Sequence, residues 1–162
     1  MRVEKLKVSV YAIPTESPEA DGTFRWDSTT MVLVEAIAED GQRGLGYSYA
    51  SAAAGTLIEE RLASVVVGCS AENVRQAWQA MVRSVRNIGR PGIASHAISA
   101  VDCALWDLKA RVHDTPLFQL LGLCRNAVPV YGSSGFTDYT LERQGVEGIQ
   151  SVLSDQEGTS GA

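Results

Sequence analysis

Between Ile93 and Leu108 the apolar residues Ile93, Ala97, Ala100, Val101, Ala104, Leu105 and Leu108 recur at three- and four-residue intervals, and three of them are alanines. This spacing defines one face of an α-helix, beginning after Pro91-Gly92. An apolar face made of small side chains lets the helix axis come close to whatever covers it. Such a helix belongs at the centre of a domain, and the rest of the chain has to be arranged around it.

The segments before it supply the partners. Val3, Leu6, Val8, Val10 and Ala12 fall largely on alternate positions, which predicts a first strand from Val3 to Ile13. Two prolines, a glycine and several acidic residues between Pro14 and Ser28 predict a long loop. Thr29 to Ala38 is β-branched and apolar, Glu39-Asp40-Gly41-Gln42 carries turn chemistry, and Arg43 to Tyr49 resumes an extended pattern. Leu57, Ile58, Leu62, Val65 and Val66 then predict a first helix ending near Gly68. Ser70 is the expected N-cap of a second helix whose stripe runs from Val74 to Val85. Pro116 opens a short further helix over Leu117 to Leu121, closed by Gly122, and Val128 to Gly132 reads as a short strand. The predicted class is α+β, a three-stranded antiparallel meander followed by a helical bundle.

Composition removes several functions. The net charge is −5 and there are three lysines, Lys5, Lys7 and Lys109, so no basic stripe exists to neutralise phosphates or an anionic lipid surface. Nucleic acid and membrane are not expected partners, no run approaches a membrane span, and a cytoplasmic location is expected. Cys69, Cys103 and Cys124 are odd in number and widely spaced, which predicts buried, reduced thiols in place of a disulfide framework or a metal knuckle. His96 and His113 lie too far apart to share a helix face as ligands, so surface or packed histidines are expected.

The stretch Ala97-Ile98-Ser99-Ala100-Val101-Asp102-Cys103-Ala104-Leu105-Trp106-Asp107-Leu108-Lys109-Ala110 resembles a helix of the mandelate racemase/muconate lactonizing enzyme family within the enolase superfamily. Pro116-Leu117-Phe118-Gln119-Leu120-Leu121-Gly122 is similar to the turn that follows it there, and Val128-Pro129-Val130-Tyr131-Gly132-Ser133 to the start of that family's barrel. Arg86 to Gly92 and Gly44 to Tyr47 also sit where the family has comparable segments. An ordered series of this kind, from Met1 to Tyr139, is far more specific than any single motif.

The resemblance implies an enolase-like N-terminal capping domain over residues 1–125, a first barrel strand remnant over 126–140 and a non-family, disordered tail over 141–162. It also implies that the chemistry belongs to a (β/α) barrel. There a base removes the proton next to a substrate carboxylate, and magnesium stabilises the enediolate, in racemases, dehydratases and cycloisomerases acting on carboxylates such as acid sugars. No lysine follows Lys109, so a Lys-x-Lys base motif is absent from this sequence, and the acidic residues after Val130 fall in a polar run unlike barrel metal ligands. No catalytic residue, metal ligand or cofactor is therefore assigned to this chain. It is expected to be a truncated and by itself inactive member, with a missing barrel domain or a second copy as partner. The alternative is a stand-alone α+β interaction or oligomerisation module.

Candidate substrate contacts follow from the same resemblance, in which the loop from Pro14 to Ser28 and the segment from Tyr47 to Gly55 reach over the barrel mouth. Phe24, Trp26, Tyr47 and Tyr49 are the candidates for a lid, set against the plainer reading that they pack the loop onto the sheet. Ser133 and Ser134 are placed to touch a substrate carboxylate if a barrel is present. Asp102 and Asp107 lie five helical residues apart, on different faces, and do not form an acid/base pair. Asp107 is four before Arg111, the spacing of a surface ion pair worth about 0.3–0.5 kcal/mol. Trp78 and Trp106 are expected to be core and not ligand platforms.

Overall fold

The computed structural model describes residues 1–20 and 23–130. The chain divides into two compact units, one formed by Met1–Ile13 and Thr30–Leu123, the other including Pro14–Thr29. Strands β1 (Val3–Ala20), β2 (Arg25–Ala38) and β3 (Arg43–Tyr49) form a three-stranded antiparallel sheet in the order β1-β2-β3. The helical part comprises α1 (Ala52–Leu57), a π-helical turn (Ile58–Leu62), α2 (Ala63–Val66), α3 (Val74–Ser84), α4 (Ile93–Val112) and α5 (Leu117–Leu121).

The expected loop from Pro14 to Ser28 is instead two strand extensions, since β1 continues to Ala20 and β2 starts at Arg25. Pro14 and Pro18 have the same parity, so the backbone donors they lack fall along a single edge of the strand. β1 is an outer strand of the sheet, where such a loss breaks no central ladder. The turn between β2 and β3 follows expectation: Gly41 adopts φ 86° and donates its N–H to the Ala38 carbonyl at 2.8 Å.

The core forms between one face of the sheet and the helices. Val32, Val34, Ala36 and Ala38 alternate inward from β2, and Ile58, Leu62 and Val66 recur every four residues to meet them. The first helical stretch is one apolar ridge, as expected, but a π-turn divides it, widening the repeat over Ile58–Leu62 so that both Ile58 and Leu62 stay fully buried. Ser70 does not cap α3. Asn73 occupies that position, while Ser70 bridges to Arg2 and its Oγ accepts from the Glu72 N–H at 3.3 Å. The competing demand is the start of the chain: the Val3 N–H donates to the Cys69 carbonyl at 2.9 Å and the Gly68 N–H to Val3 at 2.8 Å, tying residues 68–71 to β1.

α4 is central as its alanines require. Ala97, Ala100, Val101, Ala104, Leu105 and Leu108 are buried, although Ile93, at the N-terminal end of the stripe, is exposed. Gly44 and Gly46 of β3 face it. A Cβ at Gly44 would collide with the Ala104 carbonyl and the Leu108 backbone, and one at Gly46 with the Ala100 carbonyl and the Ala104 N. The two backbones therefore touch directly, which only glycine on the strand and alanine on the helix permit. The cysteines were expected to be buried, but Cys69 is half-buried and Cys103 and Cys124 are exposed. Cys103 lies on the flank of α4 next to the buried stripe, so its neighbours in sequence are core while it is not. Val128–Val130 has no regular structure, and the rest of the expected strand lies outside the described residues.

Gly46→Ala and Ala104→Phe should each lower the free energy of unfolding by about 1–3 kcal/mol, because both insert volume where none exists. Urea titration measures this. An unchanged midpoint for either variant would contradict direct contact between β3 and α4.

Candidate substrate-capping site

At the far end of the β1–β2 hairpin, Phe24 and Trp26 stack with ring centroids 6.3 Å apart and planes inclined by 15°. They are two residues apart on an extended chain and so emerge on the same side. The Trp26 indole Nε1–H donates to Glu19 Oε2 at 2.8 Å, which fixes the ring across the two strands. Phe24 remains 68% exposed. Pro18, Arg25, Trp26 and Asp27 line a shallow groove of about 380 Å³. The structure thus joins Phe24 to Trp26 and adds two residues that sequence reasoning missed, Arg25 from the groove and Glu19 as the anchor of the indole. Neither carries a local signal in the sequence, since each gains its role only when the two strands pair.

Tyr47 and Tyr49 arise differently. β3 turns Gly44, Gly46 and Ser48 towards α4, so Leu45, Tyr47 and Tyr49 must point the other way. The two tyrosines meet edge to face at 5.8 Å, and both are more than half exposed. Pairing with β2 places Met31 opposite Tyr49, Leu33 opposite Tyr47 and Glu35 opposite Leu45. The segment from Tyr47 to Gly55 is mostly regular, in line with the extended pattern up to Tyr49: Tyr47–Tyr49 is strand and Ala52 onward is helix, with the Ser51 Oγ accepting from the Ala53 N–H at 3.3 Å. Gly55 is buried within α1, where a Cβ would press on Val10. Ser133 and Ser134 lie outside the described residues.

The titratable groups are mostly occupied with structure. Glu35 binds Lys7 Nζ at 2.7 Å and Arg43 Nη1 at 3.2 Å, and the Lys7 hydrogen bond in particular holds its carboxyl below the usual range. Asp107 makes the expected pair with Arg111 Nε at 2.8 Å, and the same Oδ2 also accepts from the Leu45 backbone N–H at 2.8 Å. That second bond satisfies a donor on an outer strand and ties β3 to α4. His96 Nδ1 lies 3.1 Å from Ser48 Oγ, and His113 Nε2 lies 2.9 Å from Glu72. Trp78 and Trp106 are partly buried against the core, each carrying a cation over its ring, Arg90 at 5.3 Å and Lys109 at 5.6 Å. Among the described residues no group of three His, Cys, Asp or Glu side chains is placed to hold a metal ion, and no helix is long and apolar enough to cross a membrane.

The three-stranded antiparallel sheet followed by helices matches a known pattern. Residues 7–122 fit the family model described as the mandelate racemase / muconate lactonizing enzyme N-terminal domain, and the chain belongs to this family of the enolase superfamily. It is similar to the 3,6-anhydro-alpha-L-galactonate cycloisomerase of Streptomyces coelicolor, 37% identical over 80% of this chain and 37% of that enzyme. With the L-talarate/galactarate dehydratase of Salmonella typhimurium it shares 31% identity over 99% of the chain and 42% of the enzyme. A mandelate racemase/muconate lactonizing enzyme-like protein from Rubrobacter xylanophilus superposes with a TM-score of 0.86 at 50% identity, over 91% of this chain and 41% of that one. A racemase from Streptomyces coelicolor, solved with bound magnesium, superposes with a TM-score of 0.77 at 36% identity, over 80% and 38%. The chain thus spans about two fifths of the length of these relatives.

Glu72 gives this region a pH signature. The hydrogen bond from His113 is the main cause of its lowered pKa, with a smaller contribution from Lys109. A carboxylate whose folded pKa is depressed adds stability above its unfolded pKa and loses it as pH falls through the folded value. Below about pH 4.5, wild-type stability should therefore fall more steeply than that of Glu72→Gln, by no more than about 1 kcal/mol for so exposed a pair. Parallel acid limbs in thermal melts from pH 6 to 3 would remove Glu72 from the account.

Proposed function

We propose that this chain acts as the substrate-capping domain of an enzyme that removes the α-proton of a carboxylate of the acid-sugar type, in racemisation, dehydration or cycloisomerisation. The observation that carries this reading is the aromatic pair Phe24 and Trp26, the half-buried indole braced by Glu19 and the Phe24 ring exposed, beside Arg25 in a chain whose relatives act on sugar acids. Flat rings at the end of a hairpin exclude water from a polyhydroxy ligand, and a guanidinium forks onto a carboxylate. Tyr47 and Tyr49 offer hydroxyls and ring edges from a strand held rigid by α4. The described residues do not fit the magnesium that the Streptomyces racemase binds, so no step of the reaction is assigned through a metal on this chain. Its contribution is to bind, orient and exclude water.

Incubated with magnesium and galactarate or 3,6-anhydro-L-galactonate in D2O, the 162-residue chain should incorporate no deuterium at the α-carbon. NMR signal loss above a protein-free control would overturn the division of labour. In a chimera carrying residues 1–125 on the remainder of the Streptomyces cycloisomerase, Trp26→Ala should raise KM about tenfold, equivalent to about 1.4 kcal/mol of binding, with a smaller change in kcat. An active chimera indifferent to that change would leave Trp26 a packing residue.

A second reading, a stand-alone interaction module, draws on α5 and the residues after it, where Phe118, Leu121 and Leu123 are each more than half exposed and Leu117 is also exposed. Contiguous apolar surface of this kind favours association. If it is used, light scattering should show the apparent mass rising with concentration, together with binding of a hydrophobic dye. A monodisperse monomer without dye binding would show that the chain has sealed this surface itself, and would rule out its use in self-association.

A further inference from the structure

Helices α3 and α4 leave a groove open to solvent along their shared outer side. Arg75, Trp78 and Gln79 of α3 and Asp102 and Trp106 of α4 enclose about 330 Å³ of it, and a further cleft of about 230 Å³ lies against Trp78 and Asp102 towards Arg90 and Ser95. Asp102 and Trp78 thus border both spaces, and Trp106 lines the larger one with them.

Its carboxylate has no hydrogen bond and no ion pair to any described residue, unlike Glu35, Glu72 and Asp107. Asp102 is half-buried, and this burial raises its pKa without any neighbouring cation to oppose the effect. The cations nearby are engaged elsewhere. Arg90 lies over Trp78, and Lys109 lies over Trp106 while its Nζ bonds the Glu72 carbonyl at 2.9 Å. Arg75 shares the groove yet comes within ion-pair distance of no carboxylate there.

From this geometry we infer that the Trp78–Asp102–Trp106 groove is a docking site for an arginine side chain presented by a partner polypeptide. A planar guanidinium stacks on an indole face and forks onto a carboxylate at once, which a lysine ammonium cannot do. The incoming charge would offset the desolvation of Asp102, and the net charge of −5 favours a basic partner surface. A free small cation fits less well, because ligand sites bury most of their ligand and this groove is open along its length. A side chain anchored within a surrounding interface needs no such enclosure, and arginine is among the residues that most often serve as anchors. The inference stands apart from the capping role, since it uses none of the same residues.

The test titrates N-acetyl-arginine amide into the whole chain while following the indole N–H resonances. Those of Trp78 and Trp106 should shift saturably in the millimolar range, with Trp26 unmoved as the internal reference. Asp102→Asn, nearly isosteric, should weaken binding at least tenfold. Without probe it should raise the melting temperature at pH 7, an advantage that disappears below about pH 4, because a carboxylate with a raised folded pKa destabilises the folded chain only where it is ionised. Arg75→Ala should leave the affinity within twofold or improve it. The inference is overturned if no shift occurs, if Asp102→Asn binds as wild type, or if Arg75→Ala weakens binding as much as Asp102→Asn does. Equal binding of N-acetyl-lysine amide or tetramethylammonium would overturn the assignment to arginine.

Discussion

The backbone of α4 lies directly on the backbone of β3, with no side chain between them at Gly44 and Gly46. Most of the larger unit depends on this contact. It sets the height of the helix above the sheet, and so the volume that Val32, Val34, Ile58 and Leu62 must fill. Two polar ties hold the lateral position: Asp107 receives the Leu45 N–H, and Ser48 meets His96. Removing the Asp107 tie leaves the Leu45 N–H without its charged acceptor, a loss of about 1.5–3 kcal/mol for bonds of this type.

The same contact decides what the outer side of β3 can present. With the inward positions given to glycine and serine, every second residue points away from the helix, and these are Leu45, Tyr47 and Tyr49. The hairpin end relies on a different device. Phe24 and Trp26 have no core behind them, so their order comes from mutual stacking and from the Glu19 carboxylate that holds the indole N–H. One aromatic pair is carried on a strand packed against α4, the other is held by stacking and a single hydrogen bond.

The elements readable from sequence were those whose pattern answers to a single demand. The alanine stripe of α4 answers to close packing, and the Asp40-Gly41 turn answers to a positive φ, and both lie where periodicity put them. Where two demands compete, local pattern misled. Pro14 and Pro18 read as loop because prolines disrupt central strands, yet an outer strand accepts them at one parity. Ser70 looked like a cap, but the start of the chain had claimed it for a bridge to Arg2. The π-turn at Ile58–Leu62 leaves the order of apolar residues intact and so gives no signal in it. For the site, the aromatics were visible and their partners were not, because Glu19 and Arg25 gain their roles through the pairing of strands. The two bonds of Asp107 show the same limit: the Arg111 pair is helical arithmetic, whereas the Leu45 bond needs the fold.

The pleat of β3 also divides this strand into two kinds of inheritance. Positions 44 and 46 can accept almost no alternative, since any Cβ there meets the helix backbone. Positions 45, 47 and 49 alternate with them, and their side chains can be exchanged without disturbing that seam. On the capping role proposed above, a lineage can try new ligand contacts at every second residue while the intervening ones keep the scaffold fixed, so that drift in specificity and drift in foldability would run on separate tracks along seven residues of chain.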